Sequence, residues 1–333
     1  MATKTKRPSP EEVLLADVIS LMESSDLPPW RKPWTPRSGD HRNPLSGSVY
    51  RGINPLLLEL GLLMRGSTIR LWCGAAQAKQ RQWCPQKGSR SVRIVRPQLN
   101  KRDQTNADGT PVLDSSGNPV VAAWISYKAA TVFNMHDLKG MNAEAQSALD
   151  DFIATQLGDA PAVETSARLE AAEAHLESWP VPVSLGSATA CYSSSLDRIS
   201  MPQPADFISR ENYCSTWLHE QAHSTGHSSR LNRPIGNRFG SDAYASEELV
   251  AEFASVLACL RLGIGYELEQ HAAYMKSWTQ HLKEGGAKAL FKVLSEARQA
   301  ADLIAPELTD AAHLSDAVDD EQPWLSPCDY SLA

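Results

Sequence analysis

Glu211-Asn212-Tyr213-Cys214-Ser215-Thr216-Trp217-Leu218-His219-Glu220-Gln221-Ala222-His223 is the stretch whose reading decides the fold of the C-terminal half. Tyr213, Trp217, Leu218 and Ala222 give it apolar neighbours suited to a packed helix. Residues four apart share one helix face, so His219 and His223 can hold one metal ion between them. Glu220 stands one residue on, angled to reach a water at that metal. Two imidazole ligands and a carboxylate base in the order H-E-x-x-H define a zinc hydrolase motif. Zinc lowers the pKa of its water from 15.7 to about 7, within reach of a carboxylate base. Five residues fixing three identities can arise by composition alone, so the flanks matter. Gly226, three residues beyond, offers a helix stop.

A catalytic zinc needs a third protein ligand and keeps one position open. His227 would continue the ladder, but Gly226 interrupts the helix before it. The longer H-E-x-x-H-x-x-G-x-x-H pattern fails, because Ser229 occupies its last position. Ser246-Glu247-Glu248-Leu249-Val250-Ala251-Glu252-Phe253-Ala254 predicts a second helix downstream, with Ser246 as its cap and Leu249, Val250 and Phe253 on its buried side. Glu248 and Glu252 lie one turn apart on it. Glu248 is expected to bind the metal, and Glu252 to accept the second N–H of a ligating histidine, as such histidines need. Glu247 is expected to point elsewhere. Tyr244 is a candidate donor to a developing oxyanion.

Outward from this centre, the 333 residues suggest two domains. Hydrophobic content of 42% and charged content of 21% are ordinary for a soluble protein, and no run is long and apolar enough for a membrane helix. The N-terminus is basic with no apolar segment behind it, which predicts a cytoplasmic protein. Six cysteines, none in a C-x-x-C pair, predict free thiols. The net charge of −7 conceals a division: residues 1–140 hold 20 basic and 11 acidic side chains, a balance of +9, leaving −16 for the remainder. Such asymmetry suggests a polyanion-facing domain joined to an acidic one.

The N-terminal half reads as α+β. Ser9-Pro10-Glu11-Glu12 opens a helix, and another runs from Leu56 to Met64. Val92 to Arg96, Val120 to Tyr127 and Ala130 to Asn134 predict strands around a long polar tip, and Glu144 to Leu157 a helix. A boundary near 158 divides a domain of residues 1–157 from a mainly helical one of 158–308, and 309–333 form an acidic, loosely held tail. Thr165 to Glu177 predicts a helix, and Ala190 to Tyr192 and Arg198 to Pro202 two short strands.

Cations interleaved with aromatics suit single-stranded nucleic acid, where charges track the backbone and rings stack on bases. Trp30, Arg31, Lys32 and Trp34 form one such group, and Tyr50 and Arg51 another. Arg70, Trp72, Lys79, Arg81, Trp83, Lys87, Arg90, Arg93 and Arg96 follow.

Taken in order, these motifs resemble the antirestriction proteins of the ArdC type. The resemblance rests on Pro29 to Trp34, Asn43 to Gly47, Tyr50 to Asn54, Lys87-Gly88 and Val132 to Asn134. It continues in Tyr192, Asp197-Arg198-Ile199, Met201-Pro202, His219 to His223, Thr225-Gly226-His227 and Tyr244 through Glu252. The segment from Trp72 to Cys84 departs from it. The resemblance implies an N-terminal single-stranded-DNA-binding domain, with Trp30, Arg31, Lys32, Trp34, Tyr50, Arg51, Asn54 and Lys87 as contacts. It also implies a zincin-like metallopeptidase domain holding one Zn²⁺ per chain, a host protein as a possible peptidase substrate, and protection of incoming DNA from restriction. A non-catalytic coat for single strands is the alternative. A nuclease fits less well, because phosphodiester chemistry favours acid-rich two-metal sites.

Overall fold

The computed structural model describes residues 9–23, 40–63, 65, 67–106, 110–114, 117–158, 165–235, 241–265 and 272–307. Two compact units emerge: one of residues 1–94 and 129–306, the other of 95–128 and 307–333.

The first unit begins with helix α1 (Pro10–Glu23). A reciprocal cap starts it: the Glu12 N–H donates to Ser9 Oγ at 3.2 Å, and the Ser9 N–H to Glu12 Oε2 at 2.6 Å. Short strands β1 (Arg42–Asn43) and β2 (Ser48–Val49) pair in a tight hairpin ahead of α2 (Asn54–Leu63). Then come β3 (Trp72–Cys73), α3 (Ala75–Gln80), β4 (Trp83–Pro85), β5 (Val92–Asp103), β6 (Val121–Asn134), β7 (Leu138–Gly140) and α4 (Ala143–Leu157). β6 lies between β3 and β5, while β4 pairs antiparallel with β7. Sequence reading divided β6 into two strands. The structure runs straight through, since nothing between Tyr127 and Ala130 breaks a strand.

Two apolar clusters hold this part. Leu58, Leu62, Trp72, Val92, Ile94 and Val132 form one, and Leu71, Cys73, Ala78, Trp83, Met135, Leu138, Ala145 and Leu149 the other. Trp72 and Trp83 are 0% and 2% exposed, so neither serves as a base-stacking platform. Each indole N–H has an internal acceptor, His41 Nδ1 at 3.0 Å and the Ala145 carbonyl at 3.1 Å.

The rest of the unit is mainly helical: α5 (Thr165–Glu177), β8 (Val183–Leu185), β9 (Cys191–Ser193), β10 (Arg198–Met201), α6 (Arg210–Ser224), α7 (Asp242–Leu262) and α8 (Ala272–Ile304). β10 pairs parallel with β8 and antiparallel with β9, leaving β9 at an edge. α7 packs on both α6 and α8, and α1 lies against α8. α8 breaks at Gly286, whose φ of 63° and ψ of −160° are not helical.

In the second unit, residues 95–128 include most of β5 and the first part of β6. Its chain folds over in successive turns, with Val112 N–H donating to the Gln104 carbonyl and Val120 N–H to the Val112 carbonyl, both at 2.8 Å. The predicted tail at 309–333 lies outside the described residues. Among the described residues no helix is long and apolar enough to cross a membrane.

Candidate metal centre

α6 forms where expected. Ser209 Oγ accepts the Asn212 N–H at 2.9 Å, and Glu211 faces the positive helix end. The helix is buried along almost its whole length, so its two histidines face the interior. α7 supplies the opposing wall. Its cap is Ser241, which accepts from the Tyr244 N–H at 3.2 Å; Ser246, expected as the cap, lies inside the helix. The earlier start places Tyr244 in the first turn, one turn before Glu248.

The two helices bring His219, His223 and Glu248 together. His219 Nε2 and His223 Nε2 are 3.1 Å apart, with rings nearly perpendicular. Glu248 Oε2 is 3.7 Å from His219 Nε2, and its Oε1 is 3.8 Å from His223 Nε2. Four tetrahedral donors about 2.1 Å from a zinc ion stand about 3.4 Å from one another. The observed separations bracket that value, and among the described residues this is the cluster whose donors could jointly hold an ion. The chemistry also fits, because two imidazoles and a carboxylate are a zinc set.

The outer nitrogens face carboxylates. His219 Nδ1 lies 3.6 Å from Glu252 Oε2, and His223 Nδ1 lies 3.3 Å from Glu247 Oε1. Glu247 therefore does not point away, as its place near the helix start suggested. It is buried against His223 and forked by Arg233, whose Nε and Nη2 donate at 2.9 and 2.7 Å. Four buried carboxylates, those of Glu220, Glu247, Glu248 and Glu252, thus surround two imidazoles.

That crowding governs protonation. Burial pushes the His223 pKa down. The Glu247 hydrogen bond and the charges of Glu248 and Glu220 outweigh this and lift it to about 9. Burial alone would raise Glu248, but His219, the charge of His223 and a hydrogen bond from the Tyr244 hydroxyl hold it well below the usual carboxylate range. Glu247 is likewise held low against its burial, by Arg233 and His223. A pocket of fixed anions this dense favours a divalent cation. Tyr244, read from sequence as an oxyanion donor, contacts the metal-ligand candidate itself. His227 turns away to Ser229, at 2.8 Å, and faces Asp197 at 4.0 Å.

Of the expected nucleic-acid contacts, Trp30, Arg31, Lys32 and Trp34 lie outside the described residues. Tyr50 and Arg51 lie on the connection from β2 to α2, and Asn54 is the first residue of α2. The Tyr50 N–H donates to the His41 carbonyl at 2.8 Å, and its side chain packs beside the Trp72 cluster. Lys87 is exposed on the separate turn between β4 and β5.

Comparison with known proteins finds relatives for both halves of the chain. Residues 170–296 match the model of the zincin-like metallopeptidase family, and residues 10–133 that of the N-terminal domain of anti-restriction factor ArdC. The class is thus a zincin-like domain preceded by an α+β domain. Two crystal structures of Antirestriction ArdC protein from R388 plasmid superpose. The metal-free form has a TM-score of 0.61 at 29% identity, covering 89% of this chain and 97% of that one. The Mn(II)-bound form has a TM-score of 0.59 at 26% identity, covering 94% and 100%. The chain is an ArdC-type protein. It is also 32% and 30% identical to two DNA primases TraC of Escherichia coli over 90% and 88% of its length. It spans only 27% and 20% of those larger proteins. Uncharacterized protein y4eC of Sinorhizobium fredii is 28% identical over 90% of this chain and 92% of its own.

Proposed function

We propose that this chain is an antirestriction factor that binds single-stranded DNA through residues 1–157 and carries, in residues 158–308, a zinc-dependent peptidase site that helps protect incoming DNA. The observation that carries the reading is the buried convergence of His219, His223 and Glu248 beside Glu220, in a chain with ArdC organisation. One zinc ion would be held by those three ligands and would supply a Lewis acid that makes water acidic near neutral pH. Glu220 accepts the proton of the attacking water and returns it to the leaving amine. Glu252 holds the His219 ring. Tyr244, bound to Glu248, steadies the carboxylate, and any donation to an oxyanion would require it to leave that partner. On the N-terminal side, Tyr50, Arg51, Asn54 and Lys87, together with Trp30, Arg31, Lys32 and Trp34, would grip the strand. The expected setting is the cytoplasm of a cell receiving the DNA.

A non-catalytic coat is the second reading. It rests on the match of residues 10–133 to the N-terminal domain of anti-restriction factor ArdC, a stretch that contains none of the metal-site residues. Glu220→Gln separates the two. An enzyme loses cleavage of its protein substrate and its protection while retaining zinc, whereas a coat protein retains protection. Zinc content of the purified chain, beside His219→Ala/His223→Ala, is the first measurement. About one zinc per chain, lost in the double variant, supports the site, and a wild type without metal refutes it.

A further inference from the structure

We infer that Arg233 and Glu247 form a positioning pair that selects Glu248 as the metal ligand and fixes the His223 ring; the inference rests on the metal-site reading above. Glu247 and Glu248 are adjacent on α7, both are buried, and both stand near His223. Both side chains are of a type that ligates zinc, but Glu247 stands at the outer nitrogen of His223 and Glu248 at the two Nε2 atoms. Arg233 holds Glu247 in that place. Its Nε takes Glu247 Oε2 at 2.9 Å and its Nη2 takes Oε1 at 2.7 Å, a fork that occupies both oxygens. Among the described residues no arginine or lysine pairs with Glu248, and its two oxygens face the two Nε2 atoms.

The same pair orients His223. Both Glu247 oxygens accept from Arg233, so in the 3.3 Å contact with Oε1 the His223 Nδ1 is the donor. Its Nε2 is then turned toward Glu248 and His219, where it would offer a lone pair to an ion.

Arg233 is anchored independently of this task. Its Nη1 donates to Thr225 Oγ1 at 2.7 Å, and its Nη2 also donates to the Ala222 carbonyl at 2.9 Å, in the last turn of α6. The guanidinium thus sits at the negative end of the helix carrying both histidines and grips the helix carrying Glu248. One side chain fixes the rotation of α7 relative to α6, and with it the distance between ligands from the two helices.

The test uses the full chain and Zn²⁺, with affinity measured by competition against a chromogenic chelator. The visible spectrum of the Co²⁺-substituted protein reports ligand geometry, and far-ultraviolet circular dichroism reports folding. Glu247→Gln, which keeps the volume but weakens both bonds, is expected to lower Zn²⁺ affinity about 10–100-fold and to shift the Co²⁺ bands, with helicity unchanged. Arg233→Lys, which keeps the charge but loses the fork, should fall between the two. If Glu247→Gln does not fold, Arg233→Lys alone decides, by the same shift. Wild-type affinity and spectrum in the folded variant, while His223→Ala abolishes binding, overturns the inference and leaves the metal site standing. A wild type that binds no Zn²⁺ overturns the site itself.

Discussion

Replacing Gly226 by alanine should weaken both the fold and the metal centre, for a reason that helix statistics miss. The residue follows α6, where glycine usually serves a left-handed turn. Gly226 is not among the glycines with positive φ, and the cap before it, Thr225, is in the ordinary helical region. Alanine would therefore meet no backbone strain. It would meet side chains: an added Cβ stands 2.6 Å from Ile235 Cγ2, 3.2 Å from Arg233 Nη2 and 3.2 Å from the His223 carbonyl. The first separation is shorter than real contacts allow, and the atom sits on a branched, half-buried side chain that cannot simply swing away. Overpacking of this kind costs about 1–3 kcal/mol. At roughly 2–4 °C per kcal/mol for a domain of this size, Gly226→Ala should melt several degrees below wild type. Removing the obstructing methyl should restore the loss. In a double-mutant cycle, Gly226→Ala in an Ile235→Ala background is expected to cost well under half of what it costs alone. Thermal unfolding of the four proteins at one pH and fixed zinc supplies the numbers. Additive losses would sink the steric argument, and a Gly226→Ala protein as stable as wild type would show that the loop yields freely.

Other expectations concern the N-terminal part. Trp72→Phe strips the indole donor from buried His41 Nδ1 and should cost about 1–3 kcal/mol in denaturant unfolding; no loss would mean the bond contributes nothing. His41 is driven below its ordinary pKa by burial, while Glu59, 2.5 Å from its Nε2, stays ionised because His41 and Arg70 outweigh burial. The neutral histidine contributes stability that is fully present above pH 6.5 and declines as the pH falls toward its folded value. The Glu59 contribution is present above about 4.5 and is lost through its own lowered value. Ring signals of His41 followed by NMR should remain those of a neutral imidazole at pH 6.5, and half-protonation there would contradict this. If Lys87 touches a phosphate of bound single-stranded DNA, Lys87→Glu should flatten the log–log salt dependence of binding by about 0.7, and an unchanged slope removes it from the interface.

What the chain revealed beforehand follows the range of the interactions. His219, Glu220 and His223 were legible because a single helix turn sets their relation, and Glu248 with Glu252 because another turn sets theirs. The β9–β10 hairpin and α5 were legible for the same reason, from local pattern alone. Arg233 was not legible. Its value depends on how α7 is rotated against α6, and nothing near Arg233 in the chain announces a partner 14 residues away. Helix spacing separates Glu248 from Glu247 but predicts that Glu247 points elsewhere; its turn onto His223 depends on the tertiary contact with Arg233. The basic, aromatic stretch shows the opposite error. Interleaved arginine and tryptophan read as a grip for nucleic acid, yet the Arg65 guanidinium lies 5.4 Å from the centre of the Trp72 ring, and that of Arg81 lies 5.8 Å from the centre of Trp83. Part of the stacking chemistry is thus spent inside the domain, between its own cations and its own buried rings. Composition counts a cation and an aromatic ring whether they meet each other or a ligand. Only burial separates the two cases, and it moves the expected DNA contacts away from Trp72 and Trp83 toward the β2–α2 connection and the exposed turn at Lys87.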